Sequence, residues 1–144
     1  MVMESKNLER SIILKVKKIL LAGIVTLSLA NADDVLQKSM SIMQKGIDSI
    51  TFGFMHNEVD NIKEGLELLR EGNNMFSDKK LIEQYLPHDK KHMVNVAENQ
   101  SKRITLDSNV LEINLDQKAY IDAANAYSDI INACSRCHAI VREW

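Results

Sequence analysis

Two thiols and an imidazole stand together near the end of this 144-residue chain, in the run Cys134-Ser135-Arg136-Cys137-His138. Cysteines separated by two residues and followed at once by a histidine have the spacing for covalent haem attachment: the thiols become thioethers and the imidazole binds iron. A disulfide is a poor alternative, because the loop it would close is very small and constrains the unfolded chain little. A structural zinc site needs four protein ligands, and the second pair would have to be His88 and His92. A thioredoxin-like dithiol would require a βαβ pattern, which the chain does not show. The spacing therefore predicts one covalently bound haem c, with Cys134 and Cys137 as its attachment points and His138 as the proximal iron ligand.

The elements that must position this group read as helices throughout. There is one Pro and there are five Gly, and the long stretches favour Leu, Lys, Glu, Ala and Met. From Asp33 the apolar residues fall at Leu36, Met40, Met43, Ile47, Ile50 and Phe54, one face of an amphipathic helix. A second stripe, Val59, Ile62, Leu66 and Leu69, has Asn57 as its N-cap and Gly72-Asn73-Asn74 as its stop. Residues 73–87 read as a long loop with a single turn around Leu81 to Tyr85. A third helix begins near His88 or Asp89 and carries Met93, Ala97, Ile104, Leu111 and Leu115, with turn-favouring residues between Thr105 and Asn109 marking a break. After a turn at Asn114 to Asp116, the last helix carries Tyr120, Ala124, Tyr127, Ile131, Cys134, His138 and Val141 on one stripe, with Cys137 beside it.

The reading is thus all-α: four helices, joined by short first and last connections, in an antiparallel up-down-up-down bundle with the haem near the C-terminal end of the last helix. In that arrangement Met40, Met43, Met75, His88, His92 and Met93 share the haem's end, and His56 lies at the other. Met40 and His138 come out at the same height, roughly 9–10 Å from the bundle's end at about 1.5 Å per residue. Met40 is accordingly the expected distal iron ligand, and Met43, one turn on, a residue of the haem pocket. Arg142, one turn beyond His138, is placed to meet a propionate or tune the haem environment.

The N-terminus belongs to a different kind of segment. Lys6, Arg10, Lys15, Lys17 and Lys18 precede an uncharged run from Ile19 to Ala30 that ends in Ala30-Asn31-Ala32. The run is shorter than the ~20 apolar residues that span a bilayer, and the small-x-small ending matches a secretory cleavage site. Residues 1–32 therefore read as a signal peptide cleaved after Ala32, and 33–144 as the haem domain, periplasmic and with no stable membrane insertion once cleaved. The remaining segment carries 13 basic and 18 acidic residues, a net charge of −5, which repels nucleic acid and anionic lipid and points to protein partners with basic docking patches.

A secreted precursor with four helices and this motif in the last of them resembles the cytochrome c′ family and its low-spin relatives. The specific part of the likeness lies in Cys134 to Arg142, where the basic residue four positions after the haem histidine matches and Val141 stands where the family commonly has an aromatic. The resemblance implies that a side chain of the first helix covers the distal face. By register that is Met40, which implies the His/Met, low-spin branch, and the resemblance also implies a homodimer through the first two helices. The expected function is an exported mono-haem c-type cytochrome carrying one electron between redox partner proteins, not an enzyme. The alternative is a five-coordinate haem protein binding NO or CO, should Met40 pack over the iron without ligating it. A peroxidase would need distal acid–base groups, for which only His88 and His92 are near.

Overall fold

The computed structural model describes residues 34–142, and the signal-peptide reading of residues 1–32 lies outside them. The described chain is all-helical: α1 over 34–56, α2 Val59–Met75, α3 Lys79–Tyr85, a 3-10 segment His88–Met93, α4 Val94–Asp116 and α5 Tyr120–Val141.

Apolar spacing drives the packing of the first two helices. Met43 and Ile50 of α1 and Ile62, Leu66 and Leu69 of α2 are buried in one cluster, with Met40, Ile47, Phe54 and Val59 packed against it. The two backbones approach most closely where neither carries a side chain: a Cβ on Gly46 would lie 2.7 Å from the Gly65 carbonyl oxygen. Ser39 Oγ donates to the Gly72 carbonyl at 2.7 Å and Ser49 Oγ to that of Asn61 at 2.9 Å, so α2 descends as α1 rises.

The connection differs from the sequence expectation. Asn57 does not cap α2; it sits at φ 58°, the left-handed conformation that closes a helix and that Asn tolerates better than most residues. Glu58 precedes α2 and accepts from the Asn61 side chain. Nor do Gly72 and Asn73 stop α2, which runs on to Met75 with both residues buried. Gly72 lets Met43 in, since a Cβ there would meet Met43 Cγ at 2.5 Å. Asn73 ties α2 to α4 by donating to the Ser101 carbonyl and to Thr105 Oγ1, each at 3.0 Å, and accepting from Ser101 Oγ.

The stretch read as a loop contains α3, whose N-terminal amides of Lys80 and Leu81 are capped by Asp78. Together with the 3-10 segment it places Ile82 and Leu86 in a second cluster with Phe76, Ala97 and Ile140. Helix α4 is unbroken between Thr105 and Asn109, because its polar groups find partners: Ser108 Oγ donates to the Ile104 carbonyl, and Arg70 reaches Asn109 and Glu112 from α2. The α4–α5 turn falls at Gln117 to Ala119, three residues later than read, with Lys118 at φ 59°.

Candidate functional site

Helix α5 presents two apolar faces rather than one. Its fully buried seam is Ala123, Ala126, Ile130, Ala133 and Ile140. The stripe expected from the sequence lies one residue, or about 100°, further round the helix. There Tyr120 is 47% and Ile131 37% exposed, Ala124 is exposed, and Cys134, Cys137 and His138 are half-buried. The alanines, being small, let α5 settle closely on its neighbours, and the larger side chains beside them are left facing a space.

That space is a cavity of about 250 Å³, whose walls include Cys134, Cys137 and His138 of α5, Met40 and Met43 of α1, and Arg142. All six residues expected to meet a haem thus line one volume. Phe76, Asn73 and Ala97 add walls from α2 and α4. These three escaped the sequence reading because Asn73 looks like a helix stop, Phe76 lies in an apparent loop and an alanine carries no signal of a cavity. His56 is exposed and stacked on Phe52 at 4.1 Å. His88 and His92 are exposed on the 3-10 segment, and none of these three histidines lines the cavity.

The two methionines differ in their freedom. Met43 is wedged beside Gly72, with Ser39 Oγ 4.0 Å from its sulfur. Met40 is half-buried and touches both apolar clusters. The thiols differ too: Cys134 packs on the central cluster and Cys137 on the one formed with α3.

The electrostatics suit a buried, uncharged set of donors. Burial, with a smaller contribution from Cys137, pushes the Cys134 thiol up to about 11, and burial raises Cys137 as well. His138 is lowered, first by burial and then by the charge of Arg142, which favours the neutral imidazole that binds metal. The Arg142 amide also closes α5 by donating to the His138 carbonyl at 2.7 Å.

These residues fit a haem c by chemistry: two thiols one turn apart, an imidazole beside them, a thioether on the facing helix and largely apolar walls. The volume is slightly below the ~300–1,000 Å³ usual for small-molecule sites, so a porphyrin would leave part of its edge outside, toward the exposed Gln44, Ile131 and Arg142. Among the described residues no three His, Cys, Asp or Glu side chains come together as a metal site, so the zinc alternative has no assembled ligand set. Comparison with family models, curated proteins and solved structures finds no match for the chain.

Proposed function

We propose that the protein is an exported mono-haem c-type cytochrome that carries one electron between protein partners, a low-spin relative of the cytochrome c′ type. The observation that carries the reading is the convergence of Cys134, Cys137, His138 and Met40 on one cavity. Cys134 and Cys137 would hold the cofactor by thioethers, His138 would bind its iron and Met40 would complete the coordination. Haem c bound there would supply a one-electron couple, with a potential raised by the thioether ligand. The chain's own part is to keep His138 neutral, to exclude water with Phe76, Ile47, Leu69 and Ile104, and to present Arg142 to a propionate. The antiparallel contacts of α1 with α2, and of α2 with α4 through Arg70 and Asn73, support an up-down-up-down bundle with the cofactor at the C-terminal end of α5.

The competing reading, a five-coordinate haem that binds NO or CO, draws on the packing of Met40 against both apolar clusters. It would leave an apolar distal pocket with no acid–base group, suited to neutral diatomics. Expression with haem-maturation machinery and an absorption spectrum separate the two. A low-spin His/Met spectrum that is lost in Met40→Ala supports the electron carrier, and a high-spin spectrum with rapid CO binding supports the gas binder. Absence of covalent haem by mass would refute both.

A further inference from the structure

The segment 77–93 differs in charge from the rest of the chain. It holds Lys79, Lys80, Lys90 and Lys91 against Asp78, Glu83 and Asp89, whereas the remainder of 33–144 holds nine basic and fifteen acidic residues. The local excess is therefore positive on a strongly negative molecule. Of its three carboxylates, Asp78 is held at the N-terminus of α3 by the Lys80 and Leu81 amides at 2.7 and 3.1 Å, and so is fixed away from the four ammonium groups as an ion-pair partner. None of the four lysines forms an ion pair with a carboxylate among the described residues; Lys79 donates to Asn95 and Lys91 to the Glu83 carbonyl. Elsewhere Lys63, Arg70, Lys102 and Arg103 are paired, while Lys38, Lys45, Lys118, Arg136 and Arg142 are scattered singly and in no ion pair among the described residues.

The position of the segment matters as much as its charge. Ile82 and Leu86 anchor it in the cluster that also takes in Cys137, Val141 and Met40. The lysines thus ride on the segment anchored in the same cluster on which the second thiol of the attachment motif packs, while Lys79, Lys80 and both histidines of the 3-10 segment face solvent.

We infer that the Lys79, Lys80, Lys90 and Lys91 surface docks a redox protein that presents an acidic rim. This rests on the electron-carrier reading for its purpose, since it puts the docking surface at the redox end. A negative body with one positive end makes a charge dipole, which turns an acidic partner toward that end during approach and raises the rate of productive encounter. The acidic remainder of the chain repels the same partner in other orientations.

The test uses the haem-loaded protein with a photochemically reduced acidic flavodoxin as the probe donor. The second-order transfer rate should fall with added salt, as steered association does. Replacing the four residues together (Lys79→Gln, Lys80→Gln, Lys90→Gln, Lys91→Gln) should lower the low-salt rate about tenfold or more, while Lys38→Gln with Lys45→Gln changes it less than about twofold. Amide shifts on adding oxidised flavodoxin should fall on 79–93, and circular dichroism checks that each variant is folded. An unchanged rate in the fourfold variant or a footprint elsewhere would overturn the proposal. So would lysine-dependent binding to phosphatidylglycerol vesicles, or to a second copy of the chain, in place of flavodoxin. A chain that carries no haem but still shows the 79–93 footprint would sink the cytochrome reading and leave the docking surface standing.

Discussion

Between α1 and α2 the backbones meet so closely that a Cβ on Gly65 would lie 2.6 Å from the Gly46 carbonyl oxygen, yet the same α1 faces a cavity of about 250 Å³ on the side of α5. One seam is closed with the smallest residues available, and the other is held open by Met40, Ile47 and Ile131. Protein interiors are normally filled to the density of organic crystals. The apolar wall around this unfilled space is where the proposed haem would pack.

This contrast can be broken most sharply at the closed seam. Gly65→Val should destabilise the protein by about 3 kcal/mol in urea unfolding, because two of the three atoms it meets are backbone and the third belongs to the fully buried Ile50, so none can turn aside. The helix-propensity gain over Gly, below about 1 kcal/mol, does not offset this. A stability equal to that of the native chain would mean that α1 and α2 are not in contact as described.

Where the two regions join, Asn73→Ala should cost about 2 kcal/mol, since it strands buried Ser101 and removes the tie between α2 and α4. Asn73→Ser would recover only part of it.

The open seam has its own signature in alkali. In the haem-free protein the Cys134 thiol is held up to about 11 from an ordinary 9.0, so the folded state retains a proton that the unfolded state gives up. Stability from this group is complete below about pH 9 and is lost as pH rises toward 11, on the order of 2 kcal/mol in all. The loss should shrink in Cys134→Ala to what the raised Cys137 thiol contributes, and both parts should be absent once the two sulfurs are thioethers. A flat profile in the haem-free native chain would mean that the thiol is not buried in the cavity wall.

Least affected should be the stability of Ala97→Leu, which adds atoms to the open side. Ala97 is itself nearly fully buried but also lines the cavity, so the change should cost only about 1 kcal/mol of haem-free stability while lowering haem retention, measured as covalent haem per chain. A loss as large as that of Gly65→Val would show that the space is not there to be filled.

How legible all this was from sequence depended on how local each signal is. The stripes of α1 and α2 were readable because Leu36 to Phe54 and Val59 to Leu69 keep helical spacing, and their burial follows it. The motif in α5 was readable because its chemistry depends on adjacent residues. The seam of α5 was misjudged because large apolar residues draw attention, whereas Ala123, Ala126 and Ala133 make the tightest contact by being small. The reading of Gly72 and Asn73 as a stop, and of Thr105 to Asn109 as a break, failed for one reason. Turn-favouring residues favour turns by hydrogen-bonding their own backbone, and here Asn73 and Thr105 bond to each other across two helices.

The sequence alone determined that the protein is helical and that two thiols and a histidine lie together on the last helix, because both properties depend on residues within a few turns of one another. Only the tertiary structure decided that Met40, Met43 and Arg142 share a cavity with them, that Met43 is wedged in place while Met40 is freer, and that Cys137 packs on the cluster to which α3 contributes Ile82. Those relations join residues up to about a hundred positions apart, and steric fit between whole helices sets them.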